Sequence, residues 1–270
     1  SCADDHRFLV MHHDDSMVDL SSFPSSLEGG DAQLNVTVVD EDKQVFYVRS
    51  FASKEEAAEL AALCGDPDSE AGRWVRSPQR KRGGGEGVEE QGARTSSSCP
   101  LLFPLFYLAL RARIQTEKPE LMRELDLSWA ITQRAATLLE VEPSQVEPIQ
   151  VLRYEPGEFY RVHHDHHGYY DGNGNDGDGG SGGQKGGGED RPLTMLLFLS
   201  DVEGGGGELR FPKLGFDFLP KQGDAVLWSN VHRDTGEADP DMVHEGRPPA
   251  AGQKFAANIW VRSEPITSPQ

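Results

Sequence analysis

PIQVLRY (148–154), LTMLLFLS (193–200), GELRFP (207–212), DAVLWS (224–229) and KFAANIWVR (254–262) are short runs rich in aliphatic and aromatic residues, and Gly, Pro and Asp separate them. Runs of this length bounded by turn formers read as β-strands. In the last run strict alternation sets Lys254, Ala256, Asn258, Trp260 and Arg262 on one face and Phe255, Ala257, Ile259 and Val261 on the other. Gln150, Leu152 and Tyr154 alternate onto one face in the same way, as do Thr194, Leu196 and Phe198. Many short strands in the C-terminal half predict antiparallel sheets stacked as a sandwich, barrel or jelly roll. Upstream, VFYVRSF (45–51) is a strand, and Ser53 with Glu56 forms a capping box that opens a helix through Ala57, Leu60, Ala61 and Cys64 to Gly65. A second helix covers roughly 127–139, with Trp129, Thr132, Ala136 and Leu139 on one face. Helices first and strands later give an α+β fold with a β core, the helices buttressing a sheet.

The 270 residues fit one catalytic domain, taken as 41–265, preceded by a polar acidic N-terminal segment at 1–40. That segment holds a His12-His13-Asp14-Asp15 cluster, read as solvated rather than metal-binding. A Gly-rich insertion at 168–190 cannot bury enough apolar surface to order itself, and RSPQRKRGGGEGVEEQG (76–92) is a flexible surface loop with a basic run, Arg80-Lys81-Arg82. Asp171, Asn173 and Asn175 imitate a calcium loop, but Asp176 stands where a sharp turn wants Gly and Gly182 where a bidentate Glu is needed. A net charge of −19 repels phosphate backbones and argues against nucleic acid as a partner. No apolar run approaches the ~18 residues of a membrane helix, and no secretory leader opens at Ser1. Three scattered cysteines, Cys2, Cys64 and Cys99, exclude a disulfide framework but allow one disulfide. Asn35-Val36-Thr37 fits a glycosylation sequon and inclines the localisation towards the endoplasmic reticulum or secretory pathway.

YEPGEFYRVHHDHH (154–167) contains His163-His164-Asp165 at the end of a strand. In extended backbone residues i and i+2 share a face, so one imidazole and one carboxylate can reach one ion. The neighbouring His164, His166 and His167 fit a solvated run. His244, far away in sequence, lies in the same set of short strands and supplies a second imidazole. Two His and one carboxylate leave open positions on an iron, though zinc hydrolases use the same set, so the triad alone does not choose between hydrolysis and oxidation. Lys254 discriminates: a dicarboxylate that chelates iron at one end needs a fixed cation for the other. Judged alone, Lys254 reads as a surface lysine.

With these residues in place the stretch from about Val45 to Arg262 resembles the prolyl 4-hydroxylase family. Its Tyr, Gly, Tyr, His and Asp signature is matched by Tyr154, Gly157, Tyr160, His163 and Asp165. Similarity continues through Arg94-Thr95-Ser96, Glu147 to Val151, Arg191 to Thr194, Val202 to Glu208, Phe211-Pro212, Gly223 to Ala225, and His244, Gly252, Lys254, Asn258 and Trp260. The resemblance implies a double-stranded β-helix (jelly roll) with supporting helices. It implies His163, Asp165 and His244 as iron(II) ligands, Lys254 as partner of the distal 2-oxoglutarate carboxylate, and Tyr154 and Thr194 orienting that cosubstrate. Tyr160 and Trp260 would hold a peptidyl proline. The implied reaction hydroxylates proline at C4 with dioxygen and releases succinate and carbon dioxide, with ascorbate as a helper by family analogy. Another 2-oxoglutarate oxygenase, acting on a different amino acid or small molecule, and a non-enzymatic jelly-roll binding module are the competing readings. Two departures stand out: the insertion replaces a shorter loop that bears substrate contacts in the family, and 100–128 is longer than expected, its LLFPLFYLAL run being core helix or a partner-binding face.

Overall fold

The computed structural model describes residues 9–11, 17–19, 35–66, 69, 72–76, 94–169 and 190–267. The His12–Asp15 cluster, the Arg80–Arg82 run and the calcium-like motif, with nearly all of the Gly-rich insertion, lie outside the described residues.

In chain order the strands are β1 (Leu9–Met11), β2 (Met17–Asp19), β3 (Asn35–Asp40), β4 (Val45–Arg49), β5 (Val75–Arg76), β6 (Ser97–Pro100), β7 (Gln150–Tyr154), β8 (Tyr160–His163), β9 (Leu193–Phe198), β10 (Leu209–Phe211), β11 (Phe216–Phe218), β12 (Ala225–Ser229), β13 (His244–Gly246) and β14 (Lys254–Val261). The α-helices are α1 (Lys54–Ala62), α2 (Tyr107–Glu117) and α3 (Met122–Leu139). β1 and β2 form a ribbon of their own. Eight strands make the larger sheet in the order β3-β4-β12-β9-β14-β7-β6-β5, and β11-β10-β13-β8 make the smaller one. All named pairs are antiparallel. This is the expected jelly roll.

The alternation in β9 and β14 divides the core in two. Leu193, Met195 and Leu197 of β9, with Ala257, Ile259 and Val261 of β14, pack on Ala57 and Leu60 of α1 and Ile131 and Ala135 of α3. From the opposite face Leu196 and Phe198 join Leu152, Tyr154 and Ala256 in a second cluster, closed by Phe211 from the smaller sheet and by Trp228. Helices therefore cover one side of the larger sheet, and the interior between the sheets is free for chemistry. Ser53 caps α1 through the expected reciprocal pair with Glu56. Cys64, just past α1, is bonded to Cys99 in β6. Closing a loop of this size stabilises a fold by roughly 3–4 kcal/mol.

Three expectations are corrected. The polar N-terminal segment does not run to residue 40, because β3 pairs with β4 and lays Val36 and Val38 against the core. The second helix starts at Met122 rather than 127; Thr132, Ala136 and Leu139 of the expected face are buried, together with Leu125, Ser128, Ile131 and Ala135. Trp129 sits beside them, stacked on Tyr107 at 5.0 Å. The LLFPLFYLAL run is neither wholly helix nor wholly core: α2 begins at Tyr107, Leu101 is buried, and Phe106 is 53 % exposed.

Candidate active site

Strand register assembles the site. His163 in β8 lies opposite His244 in β13, in a pairing that bulges before Gly246 meets Tyr160. Asp165 follows β8 by two residues, and one donor atom from each of the three buried groups falls within 4.8 Å of the others. His163 Nε2 is 3.6 Å from one Asp165 oxygen and His244 Nε2 is 3.5 Å from the other. These gaps exceed good hydrogen bonds. The remaining nitrogens are committed: His163 Nδ1 is 2.8 Å from the Arg161 carbonyl and His244 Nδ1 is 3.0 Å from that of Met242. A carbonyl only accepts, so Nδ1 carries the proton in both rings and each Nε2 offers a lone pair inwards. Burial, with His163 close by, pushes the His244 pKa down to about 4, so that ring is neutral at physiological pH. Burial opposes charge on Asp165, but His244, His163 and Arg191 outweigh it and hold the carboxyl below the usual range. Two imidazoles that turn Nε2 inwards beside an ionised carboxylate are the donor set of a facial iron(II) site.

The surroundings fix these ligands. Thr194 Oγ1 donates to Asp165 Oδ2 at 2.8 Å and accepts from Asn230 Nδ2 at 2.8 Å. The Asn230 side-chain oxygen accepts from Trp228 Nε1 at 2.9 Å, and Trp228 packs edge-on against His244 at 4.8 Å. Trp260 Nε1 donates a further bond to Asp165 Oδ2 at 3.2 Å. Thr194, implied by the resemblance to orient the cosubstrate, thus spends its hydroxyl proton on the Asp165 carboxylate and steers that ligand. Outer-shell partners of metal ligands are worth about 10- to 100-fold in affinity or activity. Thr194→Val is expected to weaken Fe(II) binding by about that factor, read by metal titration, while leaving the fold's melting profile close to wild type. His164 points away, with Nε2 on the Asp239 carbonyl and Nδ1 accepting from the His166 amide, so it is no part of the triad.

Lys254 is 1 % exposed, and this overturns the surface reading. It pairs with Tyr154 across β14 and β7, its ammonium 4.7 Å from the centre of the Tyr154 ring. Burial pushes its pKa down to about 7, against an opposing pull from Glu208. Among the described residues it has no ion-pair partner, so it fits the far carboxylate of a dicarboxylate. Two glycines make room. A side chain at Gly207, which has φ +75°, would start 3.2 Å from the Lys254 stem, and one at Gly246 would start 3.1 Å from the Tyr154 hydroxyl.

Tyr160 stacks on His163, ring centres 3.5 Å apart, and the Arg94 guanidinium lies over the Tyr160 ring at 4.8 Å. Arg94 Nε donates to Ser96, while one terminal nitrogen of its guanidinium is buried without a hydrogen-bond partner. Across the site Arg191 covers Trp260 at 3.7 Å and holds Glu147 through two bonds of 2.8 and 2.9 Å, with Arg262 as a third member. Sequence reading passed over Asn230, Arg94 and the Glu147–Arg191 pair as contributors. The similarity at Arg94-Thr95-Ser96 and at Glu147 was the available signal, but it assigned no contact.

Residues 149–262 match the profile of the 2OG-Fe(II) oxygenase superfamily, a span that holds the triad, Thr194 and Lys254. This part of the chain is similar to 2OG-Fe(II) oxygenases. The chain is similar to prolyl 4-hydroxylase 1 of Arabidopsis thaliana, with 35% identity over 156 residues covering 53% of this chain and 50% of that protein. A putative prolyl 4-hydroxylase of Acanthamoeba polyphaga mimivirus is 34% identical over 43% of this chain and 45% of its own. The chain spans about half the length of these curated relatives. In fold the chain resembles a viral collagen prolyl hydroxylase from Paramecium bursaria Chlorella virus-1 solved with 2OG, at TM-score 0.54 and 21% identity over 83% of this chain and 99% of that one.

Proposed function

We propose that this protein hydroxylates peptidyl proline at C4, using Fe(II) held by His163, Asp165 and His244 and 2-oxoglutarate anchored by Lys254. The observation that carries this reading is the joint burial, inside one jelly roll, of a metal-ready triad and an unpaired lysine. When bound, Fe(II) and 2-oxoglutarate supply the oxidising chemistry: dioxygen is consumed, 2-oxoglutarate leaves as succinate and carbon dioxide, and a proline C–H becomes C–OH.

The chain's own residues bind, orient and exclude water. Lys254 and the Tyr154 hydroxyl receive the distal carboxylate between β14 and β7. Thr194 and Trp260, both donating to one Asp165 oxygen, prevent the carboxylate from swinging away from the metal position. Phe211 and Trp228 wall His244 at 5.5 and 4.8 Å and keep the interior apolar. Tyr160 and Trp260 would flank the proline ring, and the unsatisfied Arg94 nitrogen would take a peptide carbonyl. Ascorbate would keep the iron reduced after turnovers without peptide.

The direct test supplies proline-rich peptides with Fe(II), 2-oxoglutarate and ascorbate, and locates a gain of one oxygen by mass spectrometry. Carbon dioxide release that no proline peptide stimulates would remove the peptidyl-proline reading and favour a small-molecule substrate. Arg94→Ala is expected to raise the peptide KM by roughly 10- to 100-fold, the worth of a hydrogen bond to a charged donor, while peptide-free 2-oxoglutarate turnover is unchanged.

A further inference from the structure

We propose that Asn35 carries an N-linked glycan, added where Cys64 and Cys99 are oxidised. Asn35-Val36-Thr37 is the chain's single Asn-x-Ser/Thr triplet, and its middle residue is not proline. The triplet opens β3, where Asn35 and Thr37 are exposed and Val36 between them is half-buried. In extended backbone the acceptor amide and the Thr hydroxyl thus project from the same outward face, while Val36 packs on the core. A glycan linked to Asn35 would meet solvent rather than displace packing.

A sequon alone arises often by chance, and the disulfide is an independent pointer to the same environment. Cys64 and Cys99 are 1 % and 0 % exposed and joined, linking the end of α1 to β6. A pair of this kind persists in an oxidising lumen and is rare where thiols are kept reduced. N-linked glycosylation acts in that lumen as well. The position also has a physical use. Among the described residues β3 lies at the edge of the larger sheet and pairs only with β4. An exposed edge strand rich in β-branched residues invites pairing with other chains, and a bulky hydrophilic group at its start would hinder that.

The test uses the protein isolated from cells that make it naturally. Peptide-N-glycosidase treatment in heavy-oxygen water, followed by mass spectrometry, is expected to convert Asn35 to labelled aspartate. Cys64 and Cys99 are expected to resist alkylation until reduced. In a eukaryotic secretory host N35Q and T37A should each lose the glycosidase-sensitive mobility shift, and T37S should keep it. An unmodified Asn35, or freely alkylated Cys64 and Cys99, in the native protein would overturn the proposal whether or not the variants fold.

Discussion

His244→Ala is expected to abolish 2-oxoglutarate turnover, with Fe(II) affinity falling by more than ~100-fold, the upper effect of losing only an outer-shell partner. The size follows from the site's construction. Each imidazole is locked by a carbonyl on Nδ1 and contributes its lone pair through Nε2 alone, so no other atom of the described residues stands ready to replace it. His164 is near in sequence, but both of its nitrogens are engaged elsewhere. Removing a buried ring between Phe211 and Trp228 also leaves a cavity, so the measurement pairs metal titration and succinate release with circular dichroism. A folded His244→Ala protein that still bound Fe(II) and produced succinate at the wild-type rate would sink the ligand assignment. Iron removal by chelation should reproduce the loss in the wild type and be reversed by added Fe(II).

Lys254→Ala is expected to raise the KM for 2-oxoglutarate by roughly 30- to 5000-fold, the ~2–5 kcal/mol lost when one partner of a buried charge pair is truncated. Part of kcat should survive at saturating cosubstrate, because the lysine anchors the end that does not react. The pH dependence has a definite sign. Burial sets the lysine pKa at about 7, and an incoming carboxylate needs the ammonium form. Above about pH 7 binding must recruit a proton, so the KM should rise by up to about tenfold per pH unit until the pKa of the bound state is reached. Below that pH the dependence should flatten. The same depressed pKa means that the unfolded chain binds more protons between about 7 and the ordinary 10.5, so Lys254 destabilises the empty fold in a way that eases as pH rises. Lys254→Met should therefore raise the melting temperature of the protein without cosubstrate while weakening 2-oxoglutarate binding. A KM flat across this range, with Lys254→Met melting below wild type, would contradict the anchoring role.

Much of this arrangement was legible in the residues. The alternation in KFAANIWVR sorted Ala257, Ile259 and Val261 into the helix-facing core and Lys254, Ala256 and Trp260 into the interior, as the two clusters and the burial of Lys254 bear out. His163 and Asp165 were close enough in sequence for strand geometry to unite them, and the capping box at Ser53 was local chemistry. Where reading failed, the interaction was non-local. β3 looked like polar leader because its value lies in pairing with β4, and nothing along the chain reveals that Asp165 sits 2.8 Å from the Thr194 hydroxyl.

The sequence by itself determined the main strands of the C-terminal half, the inward faces of β7, β9 and β14, the first helix cap and the kinds of side chain able to hold a metal and a dicarboxylate, since these follow from periodicity and functional groups. Only the tertiary structure decided that β8 lies beside β13 in the register that sets His163 against His244, that Cys64 meets Cys99, and that Lys254 is sealed from water with its charge unpaired. The physical reason is that register and burial come from contacts between segments distant in the chain. Those contacts, and not the residues taken singly, depress the pKa of His244 and Lys254 and turn the donor set inwards.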